Sequence, residues 1–395
     1  MNENITFTTL GISGQLTEKL SAAGIVTPTA VQAKVIPSIM KGNNVVFQSE
    51  TGTGKTFAYL LPLVQKTEGI ENIRKSPLIM IVSPTFELAS QLKEAAHSIT
   101  EMKANLFIGG APIKRQIEYL KEKPEIIIGN PARLLELIRL KKLKVNELKA
   151  VILDEADRLV TKEIRDETEE LLGCIPASAQ HIACSATMSE TTCRIINDKS
   201  GETEKILLPP EDVLRLKITH MALFSEQRDK IDTLRSLLYA LSPEKALVFT
   251  SRADQVENIA SKLRFRKIEC EMLHAKTKNQ DRKTAIDRFK SGKCRLLITS
   301  DLASRGLDIQ DITHVIQMDL PSDNDFFIHR SGRTARAGKT GINIVIGDGY
   351  EMRKFAALEK KLKIKVYPKV LYKGKLATPE ENMEPKEEKA RRKEF

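Results

Sequence analysis

Nine short apolar runs punctuate the chain, each closed by polar or glycine-rich residues and followed by a stretch of helical character. They are Val45-Val46-Phe47, Ile79-Met80-Ile81-Val82, Ile126-Ile127-Ile128, Val151-Ile152-Leu153 and Ile182-Ala183-Cys184, then 246–249, 296–298, 314–316 and 342–346. A strand that reads as a continuous apolar run is buried on both faces, and strands that alternate with helices pair in parallel. The pattern predicts an α/β fold of mostly parallel sheets with helices on both faces. In such sheets ligands bind beyond the carboxyl ends of the strands. Chemistry is therefore expected in the polar residues that directly follow each run. Leu207-Leu208-Pro209-Pro210-Glu211-Asp212 breaks the pattern, and the strand–helix scheme repeats weakly on either side. Two similar domains are expected, 1–208 and 217–370, joined by a linker over 209–216. The Lys/Glu-rich residues 371–395 lack apolar periodicity and are expected to form a disordered tail.

Ser49-Glu50-Thr51-Gly52-Thr53-Gly54-Lys55-Thr56 follows the first run, and Asp154-Glu155-Ala156-Asp157 follows the fourth. A glycine-rich loop ending in Lys-Thr cradles nucleotide phosphates. Its backbone N–H groups face the oxygens, Lys55 reaches the outer phosphates and the Thr56 hydroxyl can ligate Mg²⁺. A carboxylate pair at the end of a second strand completes the metal shell and supplies a base for an attacking water. Ser49 stands where the generic loop has Gly, and an Asp-Glu-Ala-Asp string alone also occurs in charged helices. Together, in this order and each behind its own apolar run, the two motifs point to a nucleotide hydrolase.

The chain carries 63 basic and 52 acidic side chains, unevenly placed. Residues 1–210 hold 25 of each, whereas 211–372 hold 31 basic against 21 acidic, a surplus of ten. A positive field confined to one half implies a polyanionic partner there. Aromatic residues are 5% with no tryptophan, which favours contacts to a nucleic-acid backbone over base stacking. The N-terminus has neither a basic region nor an apolar core, so no secretion signal is expected. The five cysteines show no metal-ligand spacing and read as free thiols of a reducing cytoplasm.

In kind and order these motifs resemble those of the DEAD-box ATP-dependent RNA helicases of superfamily 2. The resemblance covers roughly residues 7–370. It implies two tandem RecA-like domains, ATP and Mg²⁺ as cofactors, and RNA as partner. Phe7 with Gly24-Ile25-Val26-Thr27-Pro28-Thr29-Ala30-Val31-Gln32 resembles the family's adenine-reading element. An amide both donates and accepts, matching adenine's amino group and ring nitrogen. Gln32 is thus expected to select ATP over GTP, with Phe7 packed near the base. Outside this context Gln32 would read as a solvent-facing residue of a helix start. The loop residues Ser49, Glu50, Thr51, Gly52, Thr53 and Gly54 are expected to bind ATP with Lys55. Thr56 and Asp154 would hold the metal, and Glu155 would orient and deprotonate water.

His329-Arg330-Ser331-Gly332-Arg333-Thr334-Ala335-Arg336 resembles the motif whose arginines stabilise the transferring phosphoryl group, which assigns that role to Arg333 and Arg336. Asp157, Ser185-Ala186-Thr187, His329 and Arg330 are expected to couple the domains. Asp301 would touch the ribose. RNA contacts are implied for Pro84, Thr85, Gly109, Gly110, Pro131, Arg133, Arg282, Ser300 and Arg305. Here the chain departs from the family: Phe86 stands for Arg, Asn130 for Thr, Ala132 for Gly, Asn279 for Gln and Ser300 for Thr. The departures cluster in the RNA motifs, so ATP chemistry is expected intact and RNA affinity or coupling altered. Two rivals remain: an ATP-gated RNA clamp or annealing chaperone, and a DNA helicase of the same superfamily. The Gln32 element and the Asp-Glu-Ala-Asp string disfavour the second. Ribosome-assembly and RNA-decay complexes are both compatible partners, a membrane is not, and the expected location is cytoplasmic.

Overall fold

The computed structural model describes residues 5–50, 52–70, 76–208, 213–274, 277, 279–301, 309, 311–336 and 339–379. The chain divides into two units, the first running to Pro210 and the second beginning at Glu211.

Among the described residues the first unit holds seven parallel strands: β1 (Val45–Gln48), β2 (Ile79–Val82), β3 (Ala104–Phe107), β4 (Ile126–Gly129), β5 (Ala150–Asp154), β6 (Gln180–Ser185) and β7 (Glu204–Leu207). Their order is β3-β4-β2-β5-β6-β1-β7. Side chains alternate between faces along a strand, and both faces are covered. Val45 and Phe47 enter one core with Ile79 and Ile81, while Val46 enters the opposite core with Met80 and Val82. Each fully buried aliphatic side chain contributes roughly 1.5–3 kcal/mol. That double burial is why these strands read as unbroken apolar runs.

The second unit holds β8 (Ile218–Phe224), β9 (Ala246–Thr250), β10 (Glu271–Leu273), β11 (Leu296–Ser300), β12 (His314–Gln317), β13 (Gly341–Gly347), β14 (Val366–Tyr372) and β15 (Lys375–Ala377). The order is β10-β11-β9-β12-β13-β8-β14-β15, parallel except for the antiparallel β14–β15 hairpin. All nine apolar runs are strands. The strands not visible as runs are β3, β7, β10 and β15 at sheet edges, β14 beside an edge, and the interior β8, whose Thr219 and His220 interrupt its apolar residues. Edge strands bury less, so they keep polar residues, as in the exposed Glu204 and Lys205 of β7.

Two boundaries differ from expectation. Residues 371–377 belong to the β14–β15 hairpin rather than a tail, because the hairpin continues the sheet beyond β8; the expected tail from 380 lies outside the described residues. Residues 213–217 form a helical turn whose Leu214 is buried in the second core, so only 209–212 of the expected linker remain, outside the described residues. No helix among the described residues is long and apolar enough to cross a membrane.

Candidate functional site

In the first sheet β5, β6 and β1 are neighbours, and register aligns Asp154 with Cys184 and Gln48 with Ser185. The residues beyond these strand ends therefore share one edge: Ser49 to Thr56, Asp154 to Asp157, and Ser185 to Thr187. The Ser49 N–H donates to the Ser185 carbonyl at 3.0 Å, tying the glycine-rich loop to β6. Gly52 and Gly54 adopt φ of +83° and +90°, which side chains rarely tolerate. Within the loop Thr53 Oγ1 donates to the Glu50 carbonyl at 2.7 Å. Lys55 Nζ donates to the Ser49 and Glu50 carbonyls at 2.8 and 3.3 Å, so its ammonium is folded over the loop that precedes it. Thr51 lies outside the described residues.

Lys55 and Thr56 open the helix Lys55–Thr67, and one turn later Tyr59 comes under the carboxylate. Tyr59 Oη donates to Asp154 Oδ2 at 2.7 Å, and Cys184 Sγ to Oδ1 at 3.4 Å. Burial and then the neighbouring Glu155 charge push the Asp154 carboxyl above its ordinary range, against the Tyr59 bond and Lys55. Burial, then the Asp154 charge, raise the Tyr59 phenol and the Cys184 thiol well above theirs. Glu155 adopts φ +56° and ψ +53° at the start of the turn Ala156–Leu159. A left-handed non-glycine residue at a strand end is strained, and such strain persists where the surroundings fix a side chain's direction. Asp157 accepts a hydrogen bond from Thr187 Oγ1, joining the last carboxylate of the string to the Ser185-Ala186-Thr187 turn. The Ser185 hydroxyl is buried and has no partner among the described residues.

Gln32 is 1% exposed. It closes a capping box: its N–H donates to Thr29 Oγ1 and its Oε1 accepts from the Thr29 N–H at 2.9 Å. Its Nε2 donates to the Gly54 carbonyl at 3.1 Å, and a Cβ on Gly54 would sit 2.5 Å from that nitrogen. The amide thus ties the phosphate loop, through its donor, to the helix start at Thr29, through its acceptor. The solvent-facing alternative is excluded. Phe7 is a core side chain, in one cluster with Leu16, Leu20 and Val35, and offers no exposed face to a base.

The motifs read as RNA contacts occupy the other end of the same edge, beyond β3, β4 and β2. Thr85 caps the helix Phe86–Ile99, its Oγ1 accepting from the Leu88 N–H at 3.3 Å. Pro84 precedes it half-buried, and Phe86 is exposed. Gly109 and Gly110 are exposed, and the Gly109 N–H donates to Asn130 Oδ1 at 3.3 Å. Pro131 is buried as the first residue of the helix Pro131–Arg139, a position that needs no N–H. Arg133 donates to the Ala111 carbonyl at 3.0 Å and pairs with Glu136 at 2.9 Å. It braces the Gly109-Gly110 loop, and this differs from a guanidinium held out toward a phosphate. Ala132 is exposed.

In the second unit Ser300 ends β11 and Asp301 follows it. The Ser300 hydroxyl is buried without a partner among the described residues. Both Asp301 oxygens accept from Arg330, at 2.6 and 2.7 Å. Arg330, on the helix Asn324–Ser331, is 1% exposed and commits all five N–H groups, its other acceptors being Gln317 Oε1, the Asp319 carbonyl and carboxylate, and Ser251 Oγ. Burial works against the Asp319 carboxylate, but Arg330 and bonds from Ser251 and Thr250 hold it below its ordinary range. His329 is buried beside Arg330. Arg333 and Arg336 flank Thr334 and Ala335. Ala335 sits at φ +55°, and the buried Thr334 hydroxyl donates to the Ile312 carbonyl. Gly341 makes that approach possible, since a Cβ there would lie 2.1 Å from Thr334 Oγ1. Arg282 is half-buried on the helix Asn279–Lys290. The Asn279 side chain and Arg305 lie outside the described residues.

Sequence reasoning did not single out Tyr59 and Cys184 against Asp154, nor Ser251, Gln317 and Asp319 around Arg330. Gln317 had a usable signal, a polar residue closing a buried run. Tyr59 had none, because a tyrosine in an apolar helix face reads as core.

Residues 29–195 match the family described as DEAD/DEAH box helicase, and residues 229–338 match the helicase conserved C-terminal domain. The chain is 37% identical to the DEAD-box ATP-dependent RNA helicase CshC of Bacillus cereus, covering 89% of this chain and 90% of that protein. It is 36% identical to the probable ATP-dependent RNA helicase YfmL of Bacillus subtilis, over 91% of this chain and 96% of that one. Among solved structures, Saccharomyces cerevisiae Dbp5 bound to RNA and ADP-BeF3 superposes with a TM-score of 0.83 at 25% identity, covering 92% of this chain and 95% of that one.

Proposed function

The chain belongs to the DEAD-box ATP-dependent RNA helicases, and from that premise we propose how its residues divide the work. ATP binds beyond the carboxyl ends of β5, β6 and β1. The observation that carries this is the convergence of the glycine-rich loop, Asp154-Glu155 and Ser185-Ala186-Thr187 on one sheet edge. Lys55 leaves the Ser49 and Glu50 carbonyls for the outer phosphates, and the loop N–H groups receive the rest of the phosphate chain. The Asp154 carboxylate and Thr56 hydroxyl are hard oxygen donors and fit Mg²⁺. The ion would offset phosphate charge and lower the raised Asp154 carboxyl. Glu155, fixed by its strained backbone, orients water. Gln32 secures the loop through Gly54, and its remaining N–H and lone pair are what it can offer a base.

RNA lies along the edge formed by the ends of β2, β3 and β4, where the helices at Phe86 and Pro131 begin. Helix N-termini present free N–H groups suited to phosphate. The Gly109-Gly110 loop, braced by Asn130 and Arg133, lets a strand approach the backbone closely. The surplus of ten charges in residues 211–372 supports the second domain as the main source of long-range attraction. Arg333 and Arg336 act on the γ-phosphoryl group when ATP and RNA together stabilise a closed arrangement of the two domains, which strains a bound duplex.

The test is ATP turnover and duplex separation by the full chain with and without RNA. Glu155→Gln should retain ATP binding and lose about 10²–10⁴ in RNA-stimulated turnover. Turnover near wild type would remove Glu155 from the mechanism. RNA held through many turnovers without strand separation would favour the clamp.

A further inference from the structure

Three adjacent strands of the second sheet each bury one polar side chain almost completely: Gln317 in β12, Asn343 in β13 and His220 in β8. All three are at most 1% exposed. His220 stands opposite Asn343, and Gln317 is two residues beyond Asn343's other partner Val315, so the three share one face. They form one hydrogen-bonded chain. Arg330 Nη1 donates to Gln317 Oε1 at 3.3 Å and Gln317 Nε2 donates to Asn343 Oδ1 at 2.8 Å. Asn343 Nδ2 donates to His220 Nδ1 at 3.1 Å, and His220 Nε2 lies 2.9 Å from the Leu214 carbonyl. A carbonyl only accepts, so Nε2 carries the proton and every bond points the same way. Bonds aligned head to tail polarise one another.

The two ends distinguish this chain from an ordinary buried polar cluster. One end is Arg330, whose guanidinium fixes both oxygens of Asp301. The other is the backbone of the turn 213–217, which directly follows the segment joining the two units. We propose that Gln317, Asn343 and His220 are positioning residues, a relay that ties the orientation of the Arg330–Asp301 pair to the placement of the turn at Leu214. A shift of that turn on domain closure then reaches Asp301 through contacts that are already made. His220 also stacks on Phe327, which shares a helix with Arg330, giving the relay a second mechanical path to the same element. The inference rests on the reading, implied by the family resemblance, that Asp301 touches the ribose of ATP.

The experiment compares full-length wild type, His220→Phe and His220→Gln. Phenylalanine keeps the stack and cuts the chain, whereas glutamine offers one donor and one acceptor again. Hydrogen exchange is measured without ligand. His220→Phe should speed exchange both in 213–217 and in Asn324–Ser331 while other strands of the second sheet keep their rates, and His220→Gln should restore both segments. In parallel, KM for ATP should rise on the order of three- to tenfold in His220→Phe and recover in His220→Gln. A wild type that does not hydrolyse ATP overturns the functional reading, and exchange still decides the relay. Unchanged exchange at Asn324–Ser331 overturns the relay. So does uniformly faster exchange across the second unit with an unchanged KM, which would leave His220 a packing residue.

Discussion

Tyr59 donates its phenolic hydrogen bond to Asp154 Oδ2 at 2.7 Å, so the helix that begins with Lys55 and Thr56 also sets the direction of the carboxylate across from them. One helical turn fixes both halves of the proposed metal shell. Removing the hydroxyl leaves a buried carboxylate oxygen with a lost partner, at a cost of about 1–3 kcal/mol. Tyr59→Phe should lower unfolding free energy by that amount and raise the Mg²⁺ concentration needed for tight ATP binding. Denaturant unfolding and fluorescent-nucleotide titrations across Mg²⁺ check this. Identical Mg²⁺ dependence in the variant would reduce Tyr59 to packing.

Gln32 joins the adenine-reading element to Gly54. Gln32→Ala loses the capping box and the brace, which should cost about 1 kcal/mol and weaken ATP binding. Preference for ATP over GTP should narrow if the amide also reads the base. A competition assay with unchanged discrimination would confine Gln32 to loop bracing.

Arg330 is a buried cation held by Asp301 and Asp319. Arg330→Met leaves two carboxylates facing an apolar side chain, a change that typically costs about 3–5 kcal/mol. The second unit should unfold at markedly lower denaturant while the first keeps its own transition. Stability like wild type would show that the network is not what holds β9, β11 and β12 in place.

Thr334 can pack only because Gly341 has no side chain. Gly341→Ala forces Thr334 away and should cost about 1–3 kcal/mol. Because Thr334 lies between Arg333 and Arg336, RNA-stimulated turnover should fall more than ATP binding does. Equal losses in both would argue that the arginines tolerate the shift.

Burial, opposed by the bond to Leu214, lowers the His220 pKa from 6.5 to about 4. The folded state therefore refuses a proton that the unfolded chain accepts. The stability tied to a neutral His220 is fully present above about 6.5 and is lost as pH falls towards about 4, by roughly 3 kcal/mol in total. His181 and His314 shift in the same direction, also through burial. Melting temperatures of wild type and His220→Gln from pH 7 to pH 4 isolate the His220 share. The variant should show the shallower fall, and parallel curves would count against it.

Fold class and the loci of chemistry are legible in the residues alone. Strands covered on both faces must be apolar throughout, so nine of them announced themselves. A glycine-rich loop and a carboxylate pair are legible because φ near +90° and strand-end acids need particular residues. The sequence could not show the strand order that makes β5, β6 and β1 neighbours, because pairing between segments distant along the chain leaves no local mark. Nor could it separate a charged group that meets a ligand from one that meets its own protein. Arg133, Gln32 and Arg330 all look available as letters. Their partners follow from the packing: a buried polar group has to be satisfied wherever it lies, and which neighbour satisfies it depends on what the fold brings within hydrogen-bond reach.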